Sequence, residues 1–416
     1  MSSRLLVLSN GHGEDLIAQR VLQALRQQRP DLIVRVLPLV GLGDAFAAEE
    51  AAGHLQRLGP QLQLPSGGFS NQSLRGLVRD LAAGLPLLSW RQLRLVRRWA
   101  RQGDPVLAVG DLLPLLLAWS SGGRFGFIGT PKSDCTWASP TPPGWRPTPL
   151  ADAYHRCKGS EWDPWEWAVM GSRRCRLVAV RDRLTARGLR RHGVAALAPG
   201  NPMMDGFPHT PLPAWLERQR RLILLAGSRL PEALGNASRL LDCLALWQPP
   251  QHTVVLVASG SAPSATAWAQ LLESAGFTPM ALSAEAAAIG ANANWERGRW
   301  RVLLGQHCFG RWARWAELGL ATAGTATEQL AGLGVPSLSL PGPGPQFKAG
   351  FARRQSRLLS GAVLPCHGPE ELVRRLQELL EDPAERARRG AWGRRRMGPA
   401  GGSAQLAALV EQRLLG

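Results

Sequence analysis

The sequence predicts an α/β protein built from two doubly wound parallel-sheet domains facing a ligand cleft, and three observations carry that prediction. Short apolar runs alternate with amphipathic helical stretches from one end of the chain to the other. Those runs do not alternate polar with apolar residues, which is how strands buried on both faces read. At 416 residues the chain has material for two cores. A cluster of breakers (Gly200, Pro202, Gly206, Pro208, Pro211, Pro213) divides it near the middle, giving domains 1–206 and 207–416.

Leu5–Leu8 is the first strand, Gly11–Gly13 a turn, and Asp15 to Gln28 a helix with Leu16, Ala18, Val21, Leu22 and Leu25 on one face. Ile33–Leu37 follows. Val106–Val109 leads into the turn Gly110-Asp111 and a helix from Leu112, whose Pro114 is tolerated in the first turn. Phe125–Ile128 and Leu177–Val180 continue the series. In the second half Arg221–Ala226 enters Gly227-Ser228-Arg229, and Thr253–Ala258 enters Ser259-Gly260-Ser261. Val302–Leu304 precedes a helix from about Gly310, and Gly324 opens a short helix followed by a buried strand, Val335 to Leu340. The final helix, Ser403 to Leu415, is a candidate to pack back on the first domain.

Two regions break the alternation. Leu74 to Arg101 sets Leu77, Val78, Leu81 and Trp99 against seven arginines, a basic amphipathic pattern that suits either a membrane interface or a helical pair packed on the sheet. Residues 131–167 gather Trp137, Trp145, Trp162, Trp165 and Trp167 among Pro and Gly, which reads as a long irregular insertion.

Composition narrows the class. Hydrophobic residues are 45% and charged ones 19%, a globular balance. No window reaches the ~18 uncharged apolar residues of a membrane span, and Leu5–Leu8 runs straight into a polar turn without a signal peptide, so a cytoplasmic protein is expected. Six dispersed cysteines without a C-x-x-C pair speak against disulfides and structural zinc. The net charge of +18 favours anionic partners. Sixteen Trp beside many Arg suit a membrane–water interface, so an anionic membrane surface is an expected partner. Beyond charge, no nucleic-acid module is present.

Five loops carry candidate chemistry. Ser9-Asn10-Gly11-His12-Gly13-Glu14-Asp15 sits at a strand's C-terminal end, where open α/β sheets bind ligands. His12 suits proton transfer near neutral pH; Asp15 and Glu14 also read as a helix cap and a dipole partner. Asp111 holds the same place after a later strand, as a base for an attacking hydroxyl or as an N-cap. Gly227, Ser228 and Arg229 offer backbone N–H groups, a hydroxyl and a guanidinium to a diphosphate. Gly324 and Thr325 open a helix N-terminus suited to phosphate, with Glu328 one turn in to accept sugar hydroxyls. Gln346 follows the next strand within reach of a sugar or phosphate. There is no Walker A, no G-x-G-x-x-G in context and no D-x-D, so no metal or cofactor is expected beyond the sugar-nucleotide substrate.

These loops, with Val180-Arg-Asp-Arg-Leu-Thr-Ala-Arg-Gly-Leu189 and Pro199-Gly-Asn-Pro-Met-Met-Asp205, give the chain a resemblance to the lipid-A-disaccharide synthase-related glycosyltransferases. It is more distantly similar to the membrane-associated N-acetylglucosaminyltransferase of peptidoglycan synthesis. The resemblance covers nearly the whole chain and implies a GT-B fold of two Rossmann-like domains. The N-terminal one would bind acceptor and the C-terminal one UDP-sugar. It implies an inverting, metal-independent transfer of N-acetylglucosamine or a derivative to a lipid-linked acceptor at the inner face of the plasma membrane. Asp111 or His12 would act as base, Asp15 would match the synthase's first-turn aspartate, and Glu328 would bind ribose. The first turn and the run Pro341-Gly-Pro-Gly-Pro-Gln346 depart from the synthase pattern. Two alternatives stand beside transfer: a UDP-N-acetylglucosamine 2-epimerase of the same layout, and an inactive membrane-surface protein of the same fold.

Overall fold

The computed structural model describes residues 3–59, 85–344 and 346–416, apart from the side chains of His12, Leu85 and Pro86. The chain forms two compact units. One comprises Met1–Trp137, Thr148–Asp205 and Pro399–Gly416; the other comprises Ala138–Pro147 and Gly206–Gly398. Each is a Rossmann-like, doubly wound sheet, and together they make a two-domain α/β protein of GT-B type.

The first unit holds β1 (Arg4–Ser9), β2 (Ile33–Pro38), β3 (Gln56–Arg57), β4 (Val106–Gly110), β5 (Phe125–Gly129), β6 (Cys175–Val180) and β7 (Ala196–Leu197). Their order in the sheet is β3-β2-β1-β4-β5-β6-β7, every pairing parallel. Leu5, Leu6, Val7 and Leu8 are wholly buried, because helices cover both faces of a parallel sheet. Burying side chains of this size stabilises by about 1.5–3 kcal/mol each. The order reverses between β1 and β4, which makes the crevice beyond their C-terminal ends the topological switch point.

The first helix runs from His12 to Gln28 and buries Asp15, Ile17, Ala18, Val21, Leu22 and Leu25. Ile17, not Leu16, belongs to the inner stripe, and Asp15 shares it at spacings of three, seven and ten residues from Ala18, Leu22 and Leu25. The helix Gly402–Val410 packs beside it, and its entry is clamped by Asp205, which accepts from the N–H of Ser403 at 2.7 Å.

Part of the basic amphipathic segment, 74–84, lies outside the described residues. The rest forms the helix Leu85–Ala100, whose buried stripe is Leu88, Gln92, Val96 and Trp99. This helix therefore turns its apolar face to the sheet and its arginines outward. Leu87 and Trp90, each 52% exposed, are the apolar exceptions. Residues 131–167 also differ from expectation. They are largely helical (Cys135–Ala138, Pro149–Lys158, Pro164–Met170), because Pro149 and Pro164 sit at helix starts, where a missing N–H costs nothing. Ala138–Pro147 belongs to the second unit, where the Trp145 indole donates to the carbonyl of Pro365 and stacks on His367.

The second unit holds β8 (Arg220–Leu225), β9 (Thr253–Ser259), β10 (Thr278–Met280), β11 (Ala293–Arg297), β12 (Trp300–Gln306), β13 (Leu318–Ala321), β14 (Ser337–Ser339) and β15 (Val363–Pro365). The order is β10-β11-β12-β9-β8-β13-β14-β15, antiparallel only where β11 meets β10 and β12. Its switch point falls between β8 and β13. Among the described residues no helix is long and apolar enough to cross a membrane.

Candidate functional site

Both switch points carry loops that the sequence singled out. In the first unit, β1 ends at Ser9 and β4 at Gly110, adjacent and parallel, so Asn10 to Asp15 and Asp111 converge. The Asn10 amide donates to Asp111 Oδ1 at 2.6 Å, and the N–H of Leu113 donates to the same oxygen at 3.2 Å. Asp111 is thus a helix N-cap, and its carboxylate also faces the crevice loop. The approach is close because Gly110, with φ 136°, has no Cβ; one there would press on Asn10, Pro114 and Glu14 at 3.0–3.3 Å.

Asp15 is 2% exposed and accepts from the N–H of Gly11 at 3.3 Å; burial raises its pKa. Asp111 is also raised by burial, against the pull of the Leu113 N–H and the Lys132 charge. Glu14 has the largest perturbation of the three. Burial, with Asp111 and Asp15 as like-charged neighbours, pushes its carboxyl up to about 7, and its one side-chain donor, the Thr130 hydroxyl, is at 3.4 Å. Desolvation disfavours the charged form, and a second and third carboxylate add to the penalty. Glu14 is the residue that sequence reasoning undervalued as a dipole partner. The signal that finds it is three-dimensional: Asp111 and Thr130 lie far along the chain.

Lys132 follows β5 and supplies a cation to this acidic crevice. Both oxygens of the fully buried Glu166 accept from its ammonium, at 2.5 and 2.7 Å, and the ring of Trp162 lies 4.8 Å beneath it. His12 opens the first helix, and its side chain lies outside the described residues. The space behind Thr130, lined by Ile17, Ile128, Val180, Asn201 and Leu406, is about 20 Å³, room for about one water.

In the second unit, β8 runs into Gly227, Ser228 and Arg229, and β13 into Gly324 and Thr325. Ser228 is exposed, and Gly227, Arg229, Gly324, Thr325 and Glu328 are half-buried, so these residues border open space at the switch point. The helix Thr325–Gly332 begins without a side-chain cap, which leaves its first N–H groups for an anion. Hydrogen bonds hold this loop from both sides. The Thr322 hydroxyl donates to the carbonyl of Ala226 at 3.2 Å, and the Gln355 amide donates to those of Ala323 and Gly324 at 3.3 and 3.1 Å. Gln346 follows β14, and its backbone N–H donates to both oxygens of Glu232 at 3.1 Å.

No family model and no curated protein matches this chain. Solved structures do. A putative UDP-N-acetylglucosamine 2-epimerase from Listeria monocytogenes is similar at 13% identity and TM-score 0.57, over 99% of this chain and 96% of its own. The UDP-N-acetylglucosamine 2-epimerase of Neisseria meningitidis, solved with UDP-N-acetylglucosamine bound, matches at 13% identity and TM-score 0.52, over 99% and 100%. The glycosyltransferase SnogD of Streptomyces nogalater matches at 16% identity and TM-score 0.51, over 99% of each chain. At such identities the likeness establishes the fold. It also corrects the expectation of an inverting hexosyl transfer to a lipid-linked acceptor. UDP-N-acetylglucosamine 2-epimerases outnumber glycosyltransferases among these structures, and they favour the alternative that the sequence left open.

Proposed function

We propose that this chain is a UDP-sugar-using enzyme that epimerises the sugar at C2 while it remains a UDP-derived substrate, as in UDP-N-acetylglucosamine 2-epimerases. The observation that carries the reading is the pair of switch-point sites. One presents free helix N–H groups and Arg229 for a diphosphate, with Glu328 for ribose. The other presents a cluster of carboxyl groups, Glu14, Asp15 and Asp111, each raised by burial.

Inverting C2 needs one group to take the C2 proton as the C1–O bond to UDP breaks, leaving a C1=C2 double bond. Another must return a proton to the opposite face of C2 as UDP adds back at C1. Asp111 accepts two hydrogen bonds and feels Lys132, so it is the carboxylate better suited to remain ionised. Glu14 accepts one long side-chain bond and faces two like charges, so it holds its proton to about pH 7 and can give or take it there. A carboxylate held by two hydrogen bonds beside a carboxyl that keeps its proton to about pH 7 can serve as an acid–base pair. The whole-length likeness to epimerases, one of them holding UDP-N-acetylglucosamine, supports the choice of substrate.

A thermal-shift titration with UDP, beside ADP, GDP and TDP, tests the nucleotide half of the reading. Binding confined to the native state adds about 2.7 kcal/mol at a hundredfold excess over Kd. A rise with UDP alone supports the reading, and equal responses to all four nucleotides count against it. A second reading concerns place. Leu87 and Trp90 stand exposed among Arg91, Arg94, Arg97 and Arg98, a set that fits an anionic lipid surface. Co-sedimentation with phosphatidylglycerol vesicles, lost in Trp90→Ala or at high salt, is the expected result; no binding at low salt rejects it.

A further inference from the structure

The run Pro341-Gly-Pro-Gly-Pro-Gln346 departs from the lipid-A-disaccharide synthase pattern, and the structure gives its described residues, all but Pro345, a use. Two charged side chains of the helix Glu232–Ala245 grip the loop that follows β14. Glu232 accepts from the N–H of Gln346 at 3.1 Å and from that of Phe347 at 2.8 Å. Arg239 donates to the carbonyls of Pro341 and Leu340 at 2.5 and 3.3 Å, and is itself held by Asn236 at 2.6 Å. The loop closes on itself where the N–H of Gly342 donates to the carbonyl of Phe347 at 2.9 Å.

Both glycines are required by this grip. A Cβ on Gly342 would fall on the Arg239 guanidinium, and one on Gly344 on the Glu232 carboxyl. The helix that supplies the grip begins directly after Gly227, Ser228 and Arg229, and β13 lies between β8 and β14. The loops after β8, β13 and β14 are therefore tied in a ring: Thr322 joins the first two, Glu232 joins the first to the third, and Gln355, on the helix after β14, holds the second.

We infer that Glu232 and Arg239 are positioning residues for the nucleotide site of the second unit, fixing the loop after β14 as a preformed wall beside the Thr325 helix N-terminus. The inference rests on the reading of that switch point as a UDP site. The backbone N–H groups and the neighbouring Arg239 guanidinium offset the Glu232 charge, so the carboxylate braces the loop at little cost to a diphosphate nearby. A wall formed before binding spares the ligand the cost of ordering it.

The test measures UDP affinity by calorimetry and amide exchange at Gln346 and Phe347 in the full chain, for the native protein, Glu232→Gln and Gly344→Ala. In both variants the two amides should lose protection and UDP Kd should rise about tenfold or more, with thermal unfolding of the UDP-free protein nearly unchanged. The Gly344 variant keeps the carboxylate and removes only its room, so agreement between the two ties the effect to the grip. Native-like UDP affinity with freed amides overturns the inference while leaving the UDP reading intact. Loss of UDP affinity matched by global unfolding also overturns it, since the role is then structural only. Failure of the native protein to bind UDP overturns the reading itself and the inference with it.

Discussion

Replacing Glu14 by Gln should make the first unit more stable at pH 8 and change it little at pH 4. The carboxyl is raised from its ordinary 4.5 to about 7 in the fold. Below pH 4.5 it is neutral in both folded and unfolded chains, and the fold bears no penalty. Between 4.5 and about 7 the unfolded chain releases the proton while the folded chain keeps it, so stability falls as pH rises. Above about 7 the fold must hold the ion, and the loss is complete. Each pH unit is worth about 1.36 kcal/mol, so the whole displacement corresponds to about 3 kcal/mol. Part of that belongs jointly to Asp111 and Asp15, since charges this close titrate together. Gln keeps the shape and the acceptor for Thr130 and never ionises. Native-state hydrogen exchange of β1 and β4 amides reads the stability of this region. The expected gain for Glu14→Gln is about 2–3 kcal/mol at pH 8 and within about 0.5 kcal/mol of zero at pH 4. A variant that is equally stable or less stable than the native chain at pH 8 would refute the argument that burial and neighbouring carboxylates raise this group.

Other changes separate roles. Asp111→Asn keeps an oxygen for the Leu113 N–H, so stability should move by less than about 1 kcal/mol. Turnover of UDP-N-acetylglucosamine should fall about a hundredfold or more, because Asn cannot accept the proton. Gly129→Ala drives a Cβ to 2.8 Å from Trp162 and 3.0 Å from Phe127, and should cost about 1–3 kcal/mol in urea unfolding. Glu328→Ala should raise UDP Kd about tenfold, the result that the proposed ribose contact predicts. Gly393 meets the backbone of Ala331 with no room for a Cβ, so Gly393→Ala should displace the helix Thr325–Gly332 and weaken UDP binding together with stability.

Much of the architecture was legible because parallel strands buried on both faces read as unbroken apolar runs. The interior strands β1, β4, β5, β8 and β9 all announce themselves in this way. β10 and β11 did not: Thr278-Pro-Met280 is exposed at every position, and β11 hides one buried Trp295 among polar residues. The places of Asp111 and of the Gly227 and Gly324 loops, directly after buried strands, were legible because each polar turn ends an unbroken apolar run. The burial of Asp15 was available from its helical spacing and went unread. Glu14 and Glu232 were not available. The first owes its proton affinity to burial in the folded crevice, with Asp111 adding to it, and the second spends its carboxylate on backbone groups more than a hundred residues on. Neither partner is visible in a local pattern.

The most direct test of the central claim is proton NMR of UDP-N-acetylglucosamine incubated with the protein in D₂O, with no lipid or other acceptor present. The account predicts a second anomeric signal from the C2 epimer still attached to UDP, deuterium at C2 in the product, and loss of both in Asp111→Asn. An unchanged spectrum from a protein that binds UDP, or sugar leaving UDP only when an acceptor is supplied, would contradict it.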